Sequence, residues 1–470
     1  MSWIDIAIFC SYLFVMLGVG FYFMKKNSST DDYYVGGRKL SSVHIGLSVV
    51  ATDVGGGFSI GLGGLGFIMG LSGSWLLFTG LVGAWLSGVL LIPKVYDLAR
   101  RKGFLSFPQF LEHTFNKRVA IVAGIISAIG YTGFTSSQLL AGAKLASSTF
   151  AALSVNQALL IMGVVAIVYT VLGGLKAVIY TDTVQWIVLM TGLIFVGLPF
   201  AYINIGGYET IKTTLAPSFF SLTSISWQQM VNWMFTIIPI WFIGMTLYQR
   251  IYAAKSAKTA KRGWFIAGLF EYPVMAFVGV ILGMFARVAV ENGQLPGFSM
   301  ANIDAEMGLP LLLKNVLPIG FLGIVLSAYF SAIMSTADSC LMAASGNMLI
   351  DVFKKRGLRQ SQLLTFVIGV LALIIALKMT NVLELMLHSY AFMVSGMFIP
   401  VLVALFARTP NSKAAFASMV AGGVTTLTLL VSNARLPLEL DANIFGIMAS
   451  LIVYMLVSFV YKAPTKNAVL

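Results

Sequence analysis

The chain is a succession of apolar runs, each near the ~20 residues that cross the hydrocarbon of a bilayer. They fall at about 6 to 24, 44 to 71, 74 to 93, 119 to 145, 158 to 172, 184 to 203, 227 to 248, 264 to 286, 317 to 350, 363 to 377, 382 to 406, 414 to 431 and 444 to 461. In lipid only a backbone that satisfies its own hydrogen bonds is stable, so thirteen such runs predict an all-α polytopic membrane protein. At 58% hydrophobic and 10% charged, residues 1–470 read as a single transmembrane domain rather than a string of water-soluble ones. The first run follows Asp5 and has no basic stretch or small-residue cleavage site, so it is expected to remain as a span. Cys10 and Cys340 lie far apart in apolar segments and imply no disulfide framework.

Charge sets the expected orientation. Of the 30 Lys and Arg, 24 fall on one set of alternate loops, Arg250 among them. The positive-inside rule then places the N-terminus outside and the C-terminus in the cytoplasm of a cell inner (plasma) membrane. The net charge of +13 is thus topological. Scattered over short loops, it makes no nucleic-acid face. His44, His113 and His388 are dispersed and no nucleophile stands beside a base, so an enzyme is not expected. No filter repeat argues for a channel.

The ionisable residues left within the runs are Asp53, Asp182, Glu271, Asp338 and Glu384, with His388 close by. Lys144 alone is a base of comparable depth, near the outer end of the fourth run, where its stem is expected to carry the charge to the interface. Intramembrane acids are costly unless paired or facing water, which makes each a functional candidate. Without a built-in counter-charge, cations from solution are their natural partners. A hard ion such as Na⁺ takes carboxylate, hydroxyl and carbonyl oxygens.

Two segments offer such oxygens. Seven of the twelve residues from Gly55 to Gly66 are glycine, directly after Asp53. This reads either as a small-residue packing face, with Gly57 and Gly61 spaced four apart, or as an unwound break exposing carbonyls. A second interrupted run, Thr236 to Gly244 (TIIPIWFIG), sits in the other half of the chain. Paired interrupted helices point to a transporter's binding site. In the ninth run Ser331, Ser335, Asp338 and Ser339 share one helical face, with Thr336 alongside. Such a cluster is richer in oxygen than local back-bonding to the helix requires.

Four motifs, ATDVGGGFSIGLGG from Ala51, GGLKAVIYTDTVQ from Gly173, LYQRIYAAKSAKTAKRG from Leu247 and LSAYFSAIMSTADSCLMAASGNMLIDVF from Leu326, together resemble the sodium/solute symporter family, in register from the first run to about residue 460. The resemblance implies a leucine-transporter-like fold of two five-helix repeats in inverted topology, about 44–206 and 226–407. One extra N-terminal helix (about 4–24) and two C-terminal helices (414–431, 444–461) complete it. It implies a principal Na⁺ site built from carbonyls of Ala51, Val54 and Ala332 with the hydroxyls of Ser335 and Thr336. Asp53 is implied in coupling, and Asp182, Asp338 and Ser339 in a possible second Na⁺ site, Asp338 standing where relatives have serine.

Candidate solute-lining residues are Gly57, Phe58, Gln138, Trp241, Glu271 and His388. Glu271 stands where galactose symporters of the family carry a lysine, which argues against a sugar site of that design. An acidic interior without a deep base favours a small amine-bearing solute, cationic or zwitterionic, imported with Na⁺. A sugar or carboxylate symporter, or a transporter-like sensor working with a separate partner, are the alternatives. No obligate protein partner is evident.

Overall fold

The computed structural model describes residues 2–26, 34, 38–150, 152–355, 357–432 and 435–461, with the side chains of 17, 19–20, 23–26, 53–54, 56–59 and 173–181 outside the description. Among the described residues, regular structure is helical apart from one isolated parallel bridge, Leu40 to Ala254. Among the described residues ten helices are long and apolar enough to cross a membrane, or eleven if the bent pair Trp227–Ile243 and Met245–Ala253 is one span. The sequence count of thirteen also included the segments 6–24 and 44–71. Helices Trp3–Lys26 and Ser42–Met69 occupy these two segments; part of each lies among the side chains outside the description, and the described stretch of the second from Ile60 is counted together with Trp75–Leu90. The end of the bundle that the charge pattern assigns to the outside is called the outer end below.

Helix Ser42–Met69 starts at Ser41, whose side chain accepts from the His44 backbone N–H, and is interrupted at Gly55. That residue has φ 38° and ψ −167°, a conformation only glycine adopts without strain. Beyond the break the same glycine-rich stretch is a packing face. A Cβ at Gly66 would lie 2.1 Å from the Val280 carbonyl, and one at Gly283 2.1 Å from that of Gly63. The two backbones therefore touch, as small residues permit between membrane helices. Break and packing face, the alternatives open in the sequence, are both present, at different glycines.

The second interruption is at Gly244, where Trp227–Ile243 and Met245–Ala253 bend by 41°. Pro239 lies one turn before it and cannot donate to the carbonyl four residues back. The inner ends of both broken helices are tied together. Leu40 N–H donates to Ala253 O at 3.1 Å, Lys255 N–H donates to Leu40 O at 3.2 Å, and the Tyr96 hydroxyl reaches Ala254 O at 3.0 Å. Helix Phe321–Gly346 runs through the centre of the bundle, with nearly every side chain from Leu322 to Gly346 buried. Its oxygen-bearing face therefore meets protein, not lipid.

Candidate functional site: an oxygen cluster at the broken helix

The Gly55 break faces Thr336. A Cβ at Gly55 would stand 2.1 Å from Thr336 Oγ1, so the missing side chain is what lets the hydroxyl reach the interruption. Thr336 Oγ1 lies 3.0 Å from the carbonyl oxygen of Ala51 and 3.1 Å from that of Ala332. Its single proton serves one of them at a time, leaving lone pairs on three converging oxygens. Ser335, Ser339, Asp338 and Asp182 are all buried around this point. Such a group of neutral oxygens beside carboxylates suits a hard monovalent cation.

The acids divide between two settings. Asp182 accepts from the Ser48 hydroxyl at 2.7 Å and from that of Ser335, and lies 3.7 Å from the Arg250 guanidinium. Asp338 turns the other way and accepts from the Thr170 hydroxyl through Oδ1. Ser339 is the nearer partner of Arg250, whose Nη2 donates to Ser339 Oγ at 2.8 Å and to Thr52 Oγ1 at 2.6 Å. The structure thus brings Ala51, Ala332 and Thr336 together, places Ser335 against Asp182, and gives Asp182, Asp338 and Ser339 different hydrogen-bond partners. Asp53, Val54, Gly57 and Phe58 have side chains outside the described residues.

Arg250 corrects the sequence reading, which put it in an inner loop and found no deep counter-charge. It is fully buried, with Nε also 3.3 Å from Ser48 Oγ and Nη1 3.2 Å from Thr246 O. The apolar run ends near Tyr248, but the bend at Gly244 redirects the following helix into the bundle, so Arg250 points inward. Ser48 and Thr52, one turn apart on helix 42–69, were the available signal for it. Lys144 lies near the outer end, as expected, but its charge is paired within the protein. It is buried and sits 2.6 Å from both Asp304 and Glu306.

The solute-lining candidates are dispersed. Gln138 is buried on helix Lys117–Thr149, with Nε2 3.4 Å from the Ser137 hydroxyl. Trp241 and Glu271 are buried against one face of helix Trp75–Leu90, at Gly83 and Gly80 respectively. Trp241 also meets Trp264 edge to face at 6.4 Å. His388 belongs instead to a cavity of about 560 Å³ at the outer end, which Asp304, Glu306, Glu384 and Asp441 line with it. Glu306 is the pivot of that mouth. Its carboxylate accepts from the backbone N–H groups of Val382 (3.0 Å) and Leu383 (2.9 Å), capping helix Val382–Phe406.

Comparison with known proteins agrees with this architecture. A solved structure of a Na⁺-coupled sialic acid symporter in a substrate-bound outward-open state superposes with a TM-score of 0.80 over 100% of both chains, at 22% identity, and so shares the fold. A high-affinity proline transporter of Bacillus subtilis is 28% identical, covering 96% of this chain and 97% of that protein. A sodium/glucose cotransporter of Vibrio parahaemolyticus is 27% identical over 76% and 69% of the two chains. The model of the sodium:solute symporter family matches residues 33–422, and the chain belongs to that family.

Proposed function

We propose that the chain is a secondary active symporter that imports a small amine-bearing solute with Na⁺ by alternating access. The observation that carries this reading is the junction at Gly55, where Thr336 Oγ1 meets the carbonyls of Ala51 and Ala332 at 3.0 and 3.1 Å. Na⁺ bound there bridges the interrupted helix and helix 321–346. Its arrival then biases their relative position, which is how an ion's binding energy selects one state of the carrier. Ser335 and Val54 complete the proposed ligand set, and Asp53 couples it to the solute. Asp182, Asp338 and Ser339 form a further candidate cation site beside it. Thirteen spans, ten of them in two inverted repeats at about 44–206 and 226–407, with one extra N-terminal and two C-terminal helices and the N-terminus outside, are part of the same reading.

The solute class follows from charge. Arg250 is engaged by Asp182 and three hydroxyls, so its guanidinium is already occupied and is a poor anchor for a substrate carboxylate. The outer cavity presents Asp304, Glu384 and Asp441, and Glu271 lies deeper against Gly80. An ammonium group complements that path. Proline, the solute named for the Bacillus relative, carries one; glucose, named for the Vibrio relative, does not.

Reconstitution in proteoliposomes tests both parts. Uptake of labelled proline and other amino compounds is expected only under an inward Na⁺ gradient, and Ser335→Ala with Thr336→Ala is expected to raise the Na⁺ concentration for half-maximal uptake ~10-fold or more, equivalent to at least 1.4 kcal/mol. Uptake that ignores Na⁺ would refute the symport reading. Uptake of sugars or monocarboxylates alone would refute the amine reading and leave symport standing.

A further inference from the structure

Pro239 leaves a debt on its own helix. Having no N–H, it cannot donate to the carbonyl of Phe235, four residues earlier, whose side chain is exposed on the apolar outside of the bundle while Thr236 beside it is buried. The missing donor comes from outside both proposed repeats. Asn443, fully buried as the second residue of helix Ala442–Val460, places Nδ2 3.1 Å from Phe235 O and 3.0 Å from Thr236 Oγ1. One turn nearer the outer end, Asn232 joins the same two elements a second time. Its Nδ2 donates to Glu439 O at 3.1 Å, and its Oδ1 accepts from the Asp441 N–H at 2.9 Å.

We infer that Asn443 is a positioning residue for the broken helix, and that the C-terminal helix pair Ser412–Ser432 and Ala442–Val460 works as part of the outer gate. The argument is one of matched hydrogen bonds. At membrane depth a carbonyl without a donor is costly because no water replaces the lost bond, so the bend at Pro239 is stable only where a side-chain donor meets it. Asn443 supplies that donor from a neighbouring helix, and the Asn232 contacts prevent the two from sliding past each other. The outer half of helix 227–243 and the C-terminal pair therefore move together. The same unit furnishes one wall of the outer cavity through Trp233, Thr236, Asp441 and Ala442. Opposite stand the outer half of helix 42–69 and the mouth that Glu306 and Lys144 hold. Opening and closing of the cavity is a displacement between these two walls, and Asn443 sets the shape of one of them. This inference rests on the Na⁺-driven reading above.

The test uses the full-length protein and Na⁺ alone as the probe. Leu387 lines the cavity, Cys10 is exposed and Cys340 is buried, so Leu387→Cys with Cys10→Ser gives one reactive thiol for a membrane-impermeant maleimide. In this parent, replacing K⁺ by Na⁺ is expected to change the labelling rate by ~3-fold or more, roughly 0.7 kcal/mol at 1.4 kcal/mol per decade. Asn443→Leu removes the donor at similar size and is expected to abolish that response. Asn443→Asp, which has no N–H to give, serves in its place if the Leu variant does not reach the membrane. In a Pro239→Ala background, where the backbone regains its own donor, the same Asn443 change is expected to have a much smaller effect. A purely structural role would lower the amount of protein and leave the Na⁺ response of the remainder intact. A full response in the Asn443 variants, or equal losses with and without Pro239, overturns the inference while the sodium reading stands. A parent that ignores Na⁺ overturns both.

Discussion

Asp182 and Arg250 face each other at 3.7 Å with no exposed side-chain surface on either. At an effective dielectric constant of about 20, unit charges at that distance attract by about 4 kcal/mol, and removing one partner of a buried pair costs about 3–5 kcal/mol because the survivor stays charged and enclosed. Arg250 keeps four neutral acceptors, Ser48, Thr52, Ser339 and the Thr246 carbonyl, if Asp182 is lost. Asp182 keeps two hydroxyl donors, Ser48 and Ser335, if Arg250 is lost. Asp182→Asn is therefore expected to destabilise near the lower figure and Arg250→Met near the upper one. Joining the two substitutions leaves no unpaired charge, so the double variant is expected to be more stable than the sum of the single losses by at least about 2 kcal/mol, half of the Coulomb figure. Unfolding of purified protein in detergent, followed by tryptophan fluorescence at fixed Na⁺, reads all four members of the cycle. Losses that simply add would mean that the two charges do not interact, and would refute the pairing.

Three further outcomes are expected. Gly55→Ala drives a Cβ to 2.1 Å from Thr336 Oγ1 and forces a positive-φ conformation that essentially only glycine adopts, worth about 1–3 kcal/mol by itself, so the Na⁺ dependence of thermal stability should shift to ~10-fold higher concentration; an unchanged Na⁺ dependence would separate the break from the ion. Glu306→Ala takes the acceptor from Val382 N and Leu383 N and one carboxylate from Lys144, and should cost about 3–5 kcal/mol, whereas Glu306→Leu joined to Lys144→Met should cost less; melting curves of the two proteins decide it. Burial holds the Asp441 carboxyl above the usual aspartate range, opposed in part by the charge of His388. Its contribution to stability is therefore full below the ordinary aspartate pKa and is lost as pH rises through the elevated folded value. Asp441→Asn should match the parent in acid and exceed it near neutrality, and equal melting at both pH values would contradict this.

The apolar runs, their all-helical character and the family were legible from the residues alone, because span length and the need for internal backbone hydrogen bonding act on each segment separately. The glycine-rich stretch after Asp53 and the Ser and Thr face of residues 331–339 were also visible, since spacing along one helix is local information. Legibility ended where partners come from different helices. Arg250 looked like a loop residue because run length counts apolar letters and cannot see a bend at Gly244 turning the next helix inward. Lys144 looked like an interfacial residue because Asp304 and Glu306 lie 160 and 162 positions further on.

Pro239 is the sharpest division between the two levels. That it strands a carbonyl is a property of proline and is fixed by the sequence at that position. That Asn443, more than two hundred residues later, meets that carbonyl is a product of packing alone, because a hydrogen bond across helices depends on which faces touch and at what height. The sequence by itself determined which groups would need partners in the membrane, since the price of an unpaired dipole or charge there is set by residue type. Only the tertiary structure decided who those partners are.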